Sequence, residues 1–300
     1  MIVRIGYNTP AAVPDPDGLT ALVLGLEREG FDSLWVSERA TGPSADPVVA
    51  LTYAAALTTR IKLGMSVMTL PGRRPALVAK ELASLDRLAR GRLLPAFGLG
   101  LRNAGEQQAF GVRREERAAI FEEALPLLRR FWAEDEVTHQ GAHFQYDALR
   151  VLPKPAKRGF DVWMGGAADV ELRRTGRLSD GWLAAFVTPA EGERGRLLVQ
   201  QAAAEAGREV EEEHFGAVVP YRRGPLPPEV ESRLTRSRAV RGPAPLDEVV
   251  PDLDGLESHL KRLVEAGLSK FVLAPLAPPA DWDTELAETR DAVLHLQTVR

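Results

Sequence analysis

The chain has 300 residues, 45% hydrophobic and 27% charged, with a formal net charge of −4 and no cysteine. That length suits one α/β barrel and is long for one β-sandwich. The charge gives no steering toward nucleic acid or an anionic membrane, and the cysteine count excludes disulfides, thiolate nucleophiles and cysteine-ligated zinc.

The N-terminal MIVRIGYNTP alternates like a strand and lacks the basic stretch and apolar core of a signal peptide, so a cytoplasmic protein is expected. VRIGYN (3–8) reads as the first strand and DGLTALVLGLEREGF (17–31) as a helix, with Gly30 where a left-handed cap belongs. DSLWVSE (32–38) reads as the second strand. The helix 46–59 starts with Asp46 as N-cap and Pro47 behind it. IKLGMSVM (61–68) reads as the third strand, 75–91 as a helix closed by Gly91, and RLLPAFGLG (92–100) as the fourth strand.

A long amphipathic helix is expected over 114–133, then a β-hairpin over 136–146 turning at Gln140–Gly141, an insertion of about 134–150. Alternation resumes with strands 161–166, 180–186, 215–221 and 269–276, and helices 169–178, 193–207, 253–267 and 283–297. Residues 222–250 are rich in proline and arginine, contain one short helical pattern and read as a mobile loop or lid. The acidic run Glu211–Glu213 reads as a solvated helix end.

Repeated β–α units of this length imply parallel pairing with right-handed crossovers. Eight strands alternating with eight helical segments point to a (β/α)8 TIM barrel, in one domain over 1–300, with insertions after the fourth and seventh strands. Chemistry in such a barrel sits at the C-terminal strand ends. These ends are Tyr7–Asn8, Ser37–Glu38–Arg39, Ser66–Val67–Met68, Gly98–Leu99–Gly100, Gly165–Gly166–Ala167–Ala168, Ala185–Phe186, Pro220–Tyr221–Arg222 and the region of Pro275.

The turn WMGGAADVELRRTG places two glycines between a strand and a helix, where unpaired N–H groups favour an anion. It is equally an ordinary βα turn whose Asp169 and Glu171 complement the helix dipole. GLGLRNAG (98–105) is not a dinucleotide fingerprint, because its third glycine is misplaced. His139 and His143 flank Gly141 in the hairpin and do not share a helical face, so no metal site is expected. Arg73 and Arg74 fit either an acidic ligand or solvent. No nucleophile, metal set or acid–base pair stands out, which suits an organic cofactor that carries the chemistry itself.

The segments GFDSLWVSER, LGMSVMTLPGRRPALVAKELASLDRLARGRL, LPKP and VWMGGAADVELRRTGRLSDGWL, in this order and spacing, resemble the luciferase-like monooxygenase family. The resemblance implies a TIM barrel that binds reduced FMN or the deazaflavin coenzyme F-420, with a non-prolyl cis peptide at Ser66–Val67 forming a bulge behind the ring. It implies a phosphate grip at Gly165, Gly166, Ala167 and Ala168, with Asn8, Glu38, Ser66, Val67, Met68, Gly98 and Gly100 as further cofactor contacts. Glu38 and Arg39 are the catalytic candidates; Tyr7, Tyr221 and Arg222 are the substrate candidates.

Two positions depart from the family's deazaflavin dehydrogenases. Arg39 stands where these often carry histidine, and Leu101 where sugar-oxidising members carry glutamate. An alcohol oxidation therefore lacks its base. The resemblance implies hydride transfer to or from a small organic substrate, or its monooxygenation, in a homodimer; the Ala and Leu of the second and third helices fit a partner face, and a packed core gives the same pattern. The alternative is a flavin-binding protein without turnover; a flavin-free barrel for phosphorylated sugars leaves the bulge at Ser66 unexplained.

Overall fold

The computed structural model describes residues 1–12, 15–157, 159–239, 242 and 244–298. Its first half runs β1 (Arg4–Asn8), α1 (Pro16–Glu29), β2 (Ser33–Val36), α2 (Pro47–Leu57), β3 (Lys62–Met65), β4 (Met68–Thr69), α3 (Pro75–Leu88), β5 (Leu93–Leu94), β6 (Ala96–Gly98), α4 (Ala104–Phe110) and α5 (Arg117–Ala133). The second half runs β7 (Val137–Gln140), β8 (Gln145–Leu149), β9 (Trp163–Gly165), α6 (Asp169–Leu178), β10 (Gly181–Ala185), α7 (Pro189–Glu205), β11 (Phe215–Tyr221), α8 (Pro228–Ala239), α9 (Leu253–Glu265), β12 (Lys270–Pro275) and α10 (Trp282–Val293).

Local chemistry sets many of these boundaries. Asp15, Asp46 and Asp252 accept N–H groups at the starts of α1, α2 and α9. Gly30 closes α1 at φ 85°, a conformation that costs glycine little. Helix α7 begins at Pro189, four residues before the position expected from sequence, because Thr188 and Glu191 form a capping box there.

The main sheet is parallel, in the order β4-β6-β9-β10-β11-β12-β1-β2-β3-β5, and curls into an α/β fold with the helices outside. The expected third strand breaks after Met65 and resumes at Met68; the fourth breaks at Pro95. The two halves pair separately, β3 with β5 and β4 with β6, so each end strand of the order is next in the chain to a strand near the opposite end, β4 to β3 and β5 to β6. Strands β7 and β8 form an antiparallel hairpin, with Gly141 donating to Phe144 O across its turn.

Strand alternation sorts side chains to two faces. On the inner face Trp35, Ala96, Trp163, Leu183 and Val272 form a separate apolar cluster. Glycines give the two indoles room: a Cβ at Gly64 would lie 2.3 Å from the Trp35 ring, and one at Gly181 would lie 2.6 Å from that of Trp163. At the N-terminal end of the strands, Lys270 binds Asp32 at 2.9 Å and Arg4 approaches the same carboxylate at 3.6 Å. The larger core lies between the outer face and the helices.

The motif around α3 is largely structural. Asp86, 2% exposed, accepts Ala156 N, and the buried Arg92 donates to Ala89 O, Ile61 O and Thr58 O, pinning α2 and α3 to the sheet. His139 is held by Glu123, which also accepts the N–H groups of His143 and Phe144, so this glutamate organises the hairpin. The acidic run 211–213 is not a helix end: α7 stops at Glu205, and residues 212–214 form a 3-10 turn before β11. Within the expected loop 222–250 lie α8 and a 3-10 turn at 246–248, while Val240, Arg241 and Pro243 fall outside the described residues. Helix α4 was not anticipated.

Candidate functional site

The C-terminal ends of β1, β2 and β3 meet in a neutral hydrogen-bond cluster. Asn8 Nδ2 donates to Ser37 Oγ at 3.0 Å, and Ser66 Oγ donates to Asn8 Oδ1 at 3.0 Å. Ser37 Oγ also reaches the Ser66 carbonyl at 3.0 Å. The Ser66–Val67 peptide bond is cis. Val67 turns onto the inner apolar cluster, half-buried. A Cβ on Gly98 would lie 2.7 Å from Val67 Cγ2, and one on Gly165 would lie 3.2 Å from Val67 Cγ1. The two glycines therefore admit the valine, and an apolar side chain stands in the middle of the mouth.

Glu38 leaves this cluster and turns sideways. Its carboxylate accepts Thr69 N at 2.6 Å and pairs with Arg73. Burial raises its pKa above the ordinary carboxyl value, although Arg73 and the Thr69 N–H pull the other way. Of the two arginines weighed in the sequence, Arg73 is thus committed to this pair, and Arg74 lies over the rings of Phe144 and Tyr146. Arg39 is exposed. Leu101 is exposed too, and its carbonyl accepts from Arg117 Nη1 at 2.6 Å.

Three candidates from the sequence point away from the mouth. Tyr7 and Tyr221 lie on the outer faces of β1 and β11, fully buried beneath α10. Their hydroxyls and the Glu285 carboxylate form one cluster, in which Tyr221 donates to Glu285 and Tyr7 can donate to Tyr221. Burial, with the neighbouring Glu285, raises both phenol pKa values. This is a correction of the substrate-contact expectation, and its cause is alternation: Asn8 faces in, so Tyr7 faces out. Met68 is also fully buried, in the outer core, so its side chain offers the mouth nothing. Arg222 is tied at 2.9 Å to Asp247.

Gly100, at φ 83°, lies against Thr69, where a Cβ would be 2.8 Å from Thr69 Cγ2. At the end of β9, Gly166 adopts φ 128° and its carbonyl accepts from Trp182 Nε1 at 2.9 Å. The N–H groups of Ala167 and Ala168, expected to grip a phosphate, are both taken. Glu171 Oε2 accepts them at 3.0 and 3.1 Å. The second sequence reading of this turn, a helix start complemented by its own acid, describes the geometry as it stands.

Sequence reasoning left Ser37 and Glu106 out of the candidate contacts. Ser37 sits at a strand end and was legible as such. Glu106, 1% exposed on α4, accepts Thr41 N at 3.0 Å and Thr41 Oγ1 at 2.8 Å, fixing the loop after β2. No local pattern marks it, because its partner is 65 residues away. Among the described residues no group of three His, Cys, Asp or Glu is placed to hold a metal ion, and no helix is long and apolar enough to cross a membrane.

The curled parallel sheet, with a small neutral polar cluster beside an apolar wall at its mouth, defines an α/β fold of the half-barrel class. The chain belongs to the luciferase-like monooxygenase family, whose sequence pattern it matches over residues 3–243. It is 31% identical, over 220 residues, to an F420-dependent glucose-6-phosphate dehydrogenase of Segniliparus rotundus, covering 69% of this chain and 65% of that protein. It is 32% identical, over 160 residues, to a phthiodiolone/phenolphthiodiolone dimycocerosates ketoreductase of Mycobacterium bovis, covering 52% of this chain and 42% of that one. The chain thus spans less than two thirds of the length of these relatives.

Among solved structures, an F420-dependent secondary alcohol dehydrogenase in complex with an F420-acetone adduct superposes with a TM-score of 0.82 at 19% identity, covering 99% of this chain and 100% of that one. The FMN-bound oxygenating constituent of 3,6-diketocamphane monooxygenase from Pseudomonas putida gives 0.77 at 17%, covering 100% of both. The named relatives are oxidoreductases, and those two structures share this fold.

The residues at the mouth match one end of the cofactors the family implies and not the other. The ring end fits: Val67 offers an apolar face, and Asn8, Ser37 and Ser66 offer neutral hydrogen-bonding groups beside it. The phosphate end does not fit as it stands, since its two amides are already bonded to Glu171.

Proposed function

We propose that the protein is an oxidoreductase that holds FMN or the deazaflavin coenzyme F-420 at the mouth of its sheet and acts on a small organic substrate. The observation that carries this reading is the seat of Val67 between Gly98 and Gly165, beside the Asn8–Ser37–Ser66 cluster. The bound cofactor would supply hydride transfer if it is the deazaflavin, or activation of oxygen if it is FMN.

The chain's own residues would do the rest. Val67 would back one face of a planar ring. Asn8, Ser37 and Ser66 would present neutral donors and acceptors to its polar edge, and Trp35 and Trp163 beneath them would keep water out from below. Glu38 is engaged by Arg73 and Thr69, so it is not poised as a base toward a substrate hydroxyl. This favours reduction of an enone or imine, or oxygenation, over interconversion of an alcohol and its carbonyl, both directions of which need the same proton carrier. The same observation supports a second reading, a flavin-binding protein without turnover. Between the cofactors the sequence leans slightly to F-420.

The finer architecture belongs to the same proposal: a closed (β/α)8 barrel in one domain, with the hairpin and the 222–250 segment as insertions, in the cytoplasm. The chain would form a homodimer through α2 and α3, where Val49 and Leu77 are 67% and 61% exposed. Helix α2 is apolar on nearly every side, as suits a helix buried all round.

The test is equilibrium binding of FMN and of F-420, oxidised and reduced, followed by turnover assays with the cofactor that binds. Dissociation constants below about 100 µM for either support the reading. Failure of both to bind at that level removes it. Binding without turnover on carbonyl compounds, enones, imines or oxygen selects the second reading.

A further inference from the structure

The turn between β9 and α6 carries an acid where a ligand's phosphate is expected. One oxygen of Glu171 accepts the N–H groups of both Ala167 and Ala168. The backbone is shaped around this contact: a Cβ on Gly166 would come within 2.9 Å of Glu171 Cβ and 3.0 Å of Oε2. The other acid of the first turn, Asp169, is held at 2.7 Å by Arg194 of α7, so that guanidinium does not offset the charge of Glu171.

We propose that Glu171 is the specificity-determining residue of this turn, an internal anion that a ligand's phosphate must displace. The inference rests on the cofactor reading above and deepens it. Two ions of like charge cannot share two amide donors in a partly buried turn. A phosphate therefore binds only after the carboxylate has swung out, and the apparent affinity falls by the share of molecules in which the turn is open. Discrimination between phosphorylated and unphosphorylated flavins is consequently weak in the native protein. It becomes strong once the carboxylate is removed. The contact costs the protein little, since a glutamate at this third helical position is also a good cap.

The decisive experiment follows the amide resonances of Ala167 and Ala168 by NMR while inorganic phosphate is titrated into the native protein, Glu171→Ala and Glu171→Gln. Glu171→Gln keeps the side chain's length and acceptor oxygen without the charge, and serves if the alanine variant folds poorly. Both variants should shift these amides at phosphate concentrations about tenfold lower than the native protein requires. Equal concentrations for all three, or amides that do not respond in the variants, would overturn the proposal.

A parallel measurement compares FMN with riboflavin, which lacks the phosphate. The ratio of their affinities should rise about tenfold in Glu171→Ala through tighter FMN binding alone. An unchanged ratio counts against Glu171. If neither flavin nor F-420 binds any form while the phosphate titrations still separate, the cofactor reading fails and the role of Glu171 stands.

Discussion

Glu38 and Arg73 form an ion pair that ties the end of β2 to the loop between β4 and α3, with the glutamate side chain only 4% exposed. The pair explains why an acid at a strand end, a natural catalytic candidate in the sequence, is not available as a base. It also makes a pH-dependent prediction. Burial holds the Glu38 pKa above its ordinary value of 4.5 even with Arg73 present. A carboxyl raised in the folded state favours the fold below its unfolded pKa, and that contribution is lost as pH rises through the folded value.

Replacing Arg73 by methionine removes the compensating charge. Stability at pH 7 should fall by roughly 3 kcal/mol, the range for breaking a buried pair. The loss should shrink as pH is lowered through the raised folded-state value of Glu38, where the carboxyl takes up its proton. Urea denaturation across pH measures it. The double variant Glu38→Gln, Arg73→Met should recover much of the loss at pH 7; a deficit that is independent of pH would refute the assignment.

The seat of Val67 is tested through its neighbour. A methyl group at residue 98 would lie 2.7 Å from Val67 Cγ2. Gly98→Ala should therefore displace the valine at a cost of about 1–3 kcal/mol and weaken flavin binding about tenfold or more. Adding Val67→Ala should relieve the clash and restore stability. Calorimetric binding and thermal melts of both variants check this, and unchanged binding in Gly98→Ala would show that the valine does not touch the cofactor.

His259 should give a second pH effect, far from the mouth. It is 1% exposed on α9, Nδ1 has no hydrogen-bond partner, and burial with nearby Arg262 depresses its pKa from 6.5 to about 4. The unfolded chain takes up the proton first, so stability is present above pH 6.5 and is lost as pH falls toward 4. The full effect is about 3 kcal/mol. His259→Leu should flatten the melting temperature in this window; an equally steep decline in the variant would assign the effect elsewhere.

The proposed partner face is tested by charge. Val49→Asp together with Leu77→Asp places two carboxylates on exposed positions of α2 and α3, where the monomer fold tolerates them. Sedimentation should show a dimer for the native chain and a monomer for the variant. A native chain that sediments as a monomer would discard the dimer outright.

Much of the fold could be read from the sequence because its signals are local. Asp46 followed by proline starts α2, and Gly30 ends α1, through contacts within one turn. Helix α4 was overlooked although Asn103 caps its start and Gly111 its end, whereas the role of the buried Glu106 could not be read, since the acid is fixed by Thr41, which approaches only in the folded chain. The faces of Tyr7 and Tyr221 were misjudged for a related reason. A strand end announces that a residue is near the mouth, and the pleat decides whether it looks in or out.

The sequence by itself determined the alternation of strands and helices, the family and the region of chain that forms the mouth, because periodicity, caps and motif spacing are properties of neighbouring residues. Only the tertiary structure decided who partners whom there. Glu38 is spent on Arg73, Val67 is seated between glycines of β6 and β9, and Glu171 occupies the amides of its own turn. Glu38 and Val67 owe their roles to groups at least 31 residues away. The Glu171 bond is short in sequence, but it exists only because the strand end turns those two amides toward the acid.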